Sequence, residues 1–182
     1  MAGTRIVDLI FLDEFGANTK MQRTPGRAAP GERVVDTVPH GHYKTISTIA
    51  ALSAQGIIAS ASFDGGTTAA KFVEFLGDKL VPVLREGQVV VLDNLAAHND
   101  RRVDELIEAA SCRVLRLPPY SPDFNPIENA ISKVKTVLRK LAKRTVPGLF
   151  QGIAEALRTV TSADANAFIA HCGYATKRRK PH

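Results

Sequence analysis

The chain has 182 residues, of which 45% are apolar and 23% charged, and a formal net charge of +6. That balance excludes a disordered chain and suits one folded domain able to bury its own core. No apolar run reaches the roughly 20 residues a spanning helix needs, the first ten residues lack a signal peptide's apolar core, and Cys112 and Cys172 cannot build a disulfide framework or a zinc site. A soluble cytoplasmic protein with no membrane partner is therefore expected.

Ile6–Leu12 is a short apolar run, predicted as a buried strand that stops at Asp13-Glu14. Residues 14–43 are rich in Gly, Pro and Arg and read as a long loop or irregular hairpin. Thr45–Leu52 and Ile57–Phe63 are β-rich runs around Gln55-Gly56, a hairpin signal. Thr67–Leu84 has helical apolar spacing, with Thr67 or Thr68 as N-cap. Gln88–Leu92 is a second buried strand, ending at Asp93-Asn94. Asp100–Ala110 is an amphipathic helix and Arg113–Leu117 a short strand. Pro118–Pro122 is a rigid connection. Pro126–Arg144 is a long helix with proline at its start, where proline is tolerated. Phe150–Val160 and Ala163–His171 read as helices, and Lys177–Lys180 as a basic tail. This order predicts an α/β fold, a mixed central sheet flanked by helices. The core is expected over residues 1–145, with 146–182 a helical extension and tail of the same domain.

Charge divides unevenly along the chain. Residues 1–93 carry 9 basic and 10 acidic side chains; residues 94–182 carry 15 and 8. A one-sided basic balance serves either solubility or a polyanionic partner, usually nucleic acid.

Asp13 and Asp93 each end an apolar strand, where a sheet fixes a carboxylate in space. Each is read either as a turn-former or as a metal ligand. Two such carboxylates side by side repel each other unless a cation joins them, and hard oxygen donors suit Mg²⁺ or Mn²⁺. Glu128, on the first turn of the long helix, is a third candidate; its plain alternative is a helix-dipole partner. Between Asp93 and Glu128 lie 34 residues. Asn94, His98, Asn125 and Asn129 surround these positions and are candidates to orient ligands or water, or to serve local turns. His40 and His42 form an HxH pair without a third ligand.

On the long helix, Ile127, Ile131, Val134, Leu138 and Leu141 share one face, expected to pack on the sheet. Glu128, Ser132, Lys135 and Arg139 share an adjoining stripe; Lys133, Lys140 and Arg144 lie further round. From Ser132 to Arg144 there are six basic residues and no acidic one. A solvated face usually mixes signs, so phosphate contact is favoured. The loop basic residues Lys20, Arg23, Arg27 and Arg33 form a second cluster that suits DNA backbone, a second subunit or a plain surface loop.

Asp13, Asp93 and Glu128, in the settings Leu12-Asp13-Glu14, Val91-Leu92-Asp93-Asn94 with His98, and Leu117 to Asn129 (LPPYSPDFNPIEN), resemble the DDE triad of Tc/mariner-superfamily transposases, on their bacterial insertion-sequence side. The 34-residue gap, Pro39–Lys44 and His171–Tyr174 extend the likeness over most of residues 5–175. The resemblance implies a ribonuclease-H-like fold and two divalent ions, Mg²⁺ or Mn²⁺, held by the three carboxylates. It implies a DNA transposase catalytic domain that cleaves transposon ends and joins the 3′-hydroxyl to target DNA, typically at TA, as a homodimer on nucleoid DNA. Relatives carry an N-terminal helix-turn-helix region, here expected to be supplied by a separate recognition polypeptide or lost by truncation. Phe15 and Ala130-Ile131 depart from the usual family residues without removing a carboxylate. The rival readings are another ribonuclease-H-like nuclease and a decayed or domesticated DNA-binding fragment.

Overall fold

The structure, a computed structural model, describes residues 8–22, 29–33, 43–118 and 121–174. Five strands form one sheet in the order β3-β2-β1-β4-β5. They are β1 (Leu9–Asn18), β2 (Thr45–Ser53), β3 (Gly56–Asp64), β4 (Val89–Leu92) and β5 (Arg113–Arg116). β1 pairs antiparallel with β2 and parallel with β4; β4 pairs parallel with β5. The sheet is thus mixed, as its element order predicts.

Both faces are covered, which explains why the central strands read as unbroken apolar runs. Alternate side chains of β1 enter different cores. Leu9, Phe11 and Phe15 meet helices α3 (Pro126–Leu141), α4 (Val146–Arg158) and α5 (Ser162–His171). Ile10 and Leu12 meet α1 (Ala69–Phe75), the turns after it and α2 (Arg101–Ala109). Leu149, Ile153, Ala165 and Ile169 join the same core as β1 and β2, so α4 and α5 are integral to it.

Four boundaries differ from the sequence expectation, each for a local reason. β1 does not stop at Asp13-Glu14 but runs to Asn18. Residues Glu14–Asn18 keep β2 as a partner, in register from Glu14↔Ile49 to Asn18↔Thr45, while Phe15 and Ala17 are buried. The charges mark the place where the parallel neighbour β4 ends, not the end of the strand. The Thr67–Leu84 helix is α-helical only over Ala69–Phe75, capped by the Thr68 hydroxyl. A π-turn at Leu76–Leu80 and a 3-10 turn at Val81–Val83 follow. Pro82 has no N–H to give and its ring would strike the carbonyl of Asp78, so the α-register cannot run through it.

The long helix ends at Leu141 rather than Arg144, because Ala142 turns into the left-handed region (φ 47°) and donates to the Leu138 carbonyl. Leu141 is consequently only half-buried, whereas Ile127, Ile131, Val134 and Leu138 are buried. α4 starts at Val146, earlier than Phe150, since the Thr145 hydroxyl accepts the Gly148 N–H and Pro147 suits a first turn. The strand expected from Ile6, the His40/His42 pair, Arg23, Arg27 and the basic tail lie wholly or partly outside the described residues.

Candidate active site

The site is assembled where β4 ends beside β1. Phe11 pairs with Val91 at the last step of the parallel pair; Asp13 lies two residues further along β1 and Asp93 directly follows β4, near enough for its charge to act on Asp13. Asp13 points to the face of Phe11 and Phe15, the face that α3 covers. Glu128 comes from the first turn of α3, where Asn125 opens the helix by accepting the Glu128 N–H on its carbonyl, 3.1 Å. Asp13, Glu14 and Glu128 line one cleft of about 370 Å³ together with Ile131, Ser132, Lys135 and Arg139. A strand register and a helix start thus bring three residues, 115 positions apart at the extremes, to one place.

The local hydrogen bonds hold the two aspartates still. The Glu14 N–H donates to Asp13 Oδ1 at 2.7 Å. The Leu95 N–H donates to Asp93 Oδ1 at 3.2 Å, and the same oxygen lies 2.6 Å from His98 Nδ1. The contact is an ion-pair approach and not an aligned hydrogen bond, since Nδ1 has no hydrogen-bond partner among the described residues. On its other side His98 Nε2 lies 2.9 Å from Glu14 Oε1. The imidazole is fully buried and packs on Phe72, ring centroids 4.2 Å apart.

Electrostatics follow from this crowding. Burial pushes the Asp13 carboxyl up to about 7, against the bond from the Glu14 N–H, and the charges of Asp93, Glu14 and Glu128 push it further the same way. His98 is raised to about 9: burial alone would lower it, but the carboxylates of Asp93 and Glu14 outweigh burial. The imidazolium therefore offsets part of an otherwise anionic site.

The other expected residues divide. Lys135 and Arg139 line the cleft. Lys140 is exposed. Lys133 is turned elsewhere, its ammonium 2.6 Å from Asp164 at the start of α5. Asn94 is exposed and accepts from the Asn99 amide at 3.4 Å, within the loop after β4. Asn129 faces the Cys172 thiol at 3.8 Å, toward the end of α5. Asn125 is buried, and its Oδ1 has no hydrogen-bond partner among the described residues. Arg23 and Arg27 lie outside the described residues. Glu14 is a functional candidate that the sequence reading misses; the signal for it is parity, since it follows Asp13 on the strand and so faces the opposite side, toward His98.

Chemically, Asp13, Asp93 and Glu128 are hard oxygen donors suited to a divalent cation. Burial first, and then the neighbouring carboxylates, push Asp13 up, and a bound cation would offset both, so the group fits such an ion. Among the described residues, no three His, Cys, Asp or Glu side chains already form a closed cage. The donors are gathered but not drawn together.

A family model described as DDE superfamily endonuclease matches residues 8–147. Solved structures share the fold, which is ribonuclease-H-like. A Mos1 transposase paired-end complex with left transposon end matches at TM-score 0.77 and 17% identity, over 93% of this chain and 53% of that one. A Mos1 mariner paired end complex with Mn matches at 0.66 and 17%, over 93% and 53%. The catalytic core domain of BIV integrase matches at 0.52 and 13%, over 93% and 99%. The chain spans about half the length of the transposase chains it matches. No curated protein matches it in sequence.

Proposed function

The chain belongs to the DDE superfamily endonucleases, and on that premise we propose that it is the catalytic part of a metal-dependent DNA transposase. The observation that carries this reading is the cleft in which Asp13 and Glu128 meet Lys135 and Arg139, with Asp93 just past the end of the neighbouring strand and its charge acting on Asp13. Carboxylates for a cation thus adjoin cations for a phosphate.

Asp13, Asp93 and Glu128 would hold Mg²⁺ or Mn²⁺, two ions by the family resemblance. Such ions, when bound, activate an attacking oxygen and neutralise charge on the leaving oxygen of an in-line phosphoryl displacement. The protein's own residues do the rest. The sheet and the bonds from Glu14 and Leu95 fix the aspartates before substrate arrives, which removes reorganisation from the reacting step. Lys135 and Arg139 contact the backbone of the strand entering the cleft. Ile131 forms an apolar part of its wall.

The fuller cycle is the one the resemblance suggests: cleavage at transposon ends, then joining of the 3′-hydroxyl to target DNA at TA, by a homodimer with sequence recognition from a separate region or polypeptide. The transposon-end complexes of the structural neighbours support a DNA partner of this kind.

The test is nicking of supercoiled DNA in Mn²⁺. The wild-type chain is expected to nick with little sequence preference. Asp93→Asn, which keeps the shape and removes the charge, is expected to abolish nicking. Equal nicking by both proteins would overturn the reading.

A further inference from the structure

The cleft accounts for Asp13, Glu128 and the basic stripe; Glu14 also lines it, yet turns a carboxylate oxygen to His98. Glu14 is adjacent to Asp13, yet its Oε1 binds His98 at 2.9 Å and its side chain is only 12% exposed. His98 in turn reaches Asp93 Oδ1 at 2.6 Å. The ring is enclosed, fully buried, and stacked on Phe72 of α1, so it cannot swing to another partner. The loop carrying His98 is held from outside as well, since Arg116 donates to the His98 carbonyl at 3.0 Å while forking onto Asp104. The result is a continuous chain from β1, through a loop, to the end of β4.

We propose that Glu14 and His98 are positioning residues acting in series: Glu14 sets the ring, and the ring fixes the Asp93 carboxylate in the rotamer that leaves its second oxygen for the cation. This rests on the carboxylate site assigned above. The physical basis is the support that a ligand's neighbour gives it, here with the usual order inverted, a histidine orienting a carboxylate through a close ion pair. It also separates the two acids of Asp13-Glu14 by role: one faces the ion, the other faces the ligand's support. Strand parity enforces the separation, because successive side chains point to opposite faces.

Glu14 lines the cleft as a residue, and its buried Oε2 has no hydrogen-bond partner among the described residues. A direct ligand and a positioning residue make different predictions in a double-mutant cycle, because groups acting through one another are not additive. The measurement is Mn²⁺ affinity by titration calorimetry, without DNA, for wild type, Glu14→Ala, His98→Gln and the double variant, each checked for a cooperative melt. His98→Gln is expected to weaken Mn²⁺ binding roughly 10–100-fold. Glu14→Ala is expected to weaken it in the wild-type background and to add nothing in the His98→Gln background. Where the alanine variant lacks a cooperative melt, Glu14→Gln takes its place in the same cycle, with the same non-additivity expected. Losses that multiply would make Glu14 an independent ligand and overturn the series. Unchanged affinity in His98→Gln would overturn it as well. Asp93→Asn is the control. If it abolishes Mn²⁺ binding while His98→Gln does not, only the positioning pair is refuted. If it too leaves binding intact, the carboxylate site itself is refuted, and the pair with it. A nicking defect in His98→Gln that recovers at high Mn²⁺ supports the series; one that persists at saturating Mn²⁺ counts against it.

Discussion

Lys133 donates to Asp164 Oδ2 at 2.6 Å, and the same oxygen accepts the Thr161 N–H that opens α5. A basic residue of the long helix is thus built into the capping box of the next-but-one helix. Its place in the sequence favours phosphate contact; its place in the structure ties α3 to α5. Lys133→Met is expected to lower the melting midpoint while leaving the salt dependence of DNA binding unchanged. The Asp164 carboxyl is held down at about 2, first by Lys133 and then by Thr161. A depressed carboxylate stabilises the fold above its unfolded value of 3.8, and that stability is lost as pH falls toward 2. The difference in melting between Lys133→Met and wild type should therefore shrink below pH 4. A difference that grows on acidification would refute the assignment.

Lys135 and Arg139 are the basic residues that line the cleft. Replacing both with Ala is expected to weaken binding to all DNA sequences alike. The log–log salt slope should flatten by about 0.9 for each duplex phosphate that these side chains neutralise in the wild type. Neither belongs to the buried face of Ile127, Ile131, Val134 and Leu138, so melting should hold. A salt titration of DNA binding gives the answer; an unchanged slope in a folded double variant removes the stripe from the path.

The raised Asp13 carboxyl makes metal stabilisation depend on pH. A carboxyl lifted from 3.8 to about 7 favours the ion-free fold below pH 4, and that contribution is lost as pH rises through 7. His98, lifted from 6.5 to about 9, works in the same direction over a higher range. Cation binding needs the ionised carboxylate. The increase in melting midpoint on adding Mn²⁺ is therefore expected to be larger at pH 8 than at pH 6, and Asp13→Asn should reduce it at both. A pH-independent increment would place the ion elsewhere.

The β2–β3 hairpin carries a steric test of the scaffold. Gly56 has φ +111°, and a Cβ there would come within 2.8 Å of the Val160 carbonyl oxygen. Backbone sits on that side, so nothing flexible can yield. Gly56→Ala is expected to cost about 1–3 kcal/mol, the usual cost of a strained backbone position. Denaturant unfolding reads this directly, and Mn²⁺ affinity should be unaffected because Gly56 lies at the turn after β2, several residues beyond the Asp13↔Ala50 pair.

Much of the sheet and the placing of the acids are legible in the residues themselves. Apolar runs at Val89–Leu92 and around Leu9–Leu12 announce strands covered on both faces, and an acid directly after such a run must lie near an exit from the core. The motif around Asp93 and Glu128 carries the family resemblance. The limits of β1 are less legible, because Glu14–Asn18 look like a loop by composition and become strand only through pairing with Thr45–Ile49. No strand can be read from these five residues alone, since the bonds that hold them come from about 30 residues away.

Local chemistry and period thus determined which residues are strands, which are helices and which acids are candidates, because apolar patterning and capping act over a few residues. Only the tertiary structure decided partners. The Phe11↔Val91 pairing brings the end of β4, and with it Asp93, beside Asp13; the fold sets His98 between Glu14 and Asp93; and the position of α5 takes Lys133 out of the basic stripe. These partners come from distant parts of the chain. A charged side chain on a helix face is equally compatible with solvent, phosphate or a carboxylate until the neighbouring element is in place, and the partner that satisfies it at least cost in desolvation is set by the fold as a whole.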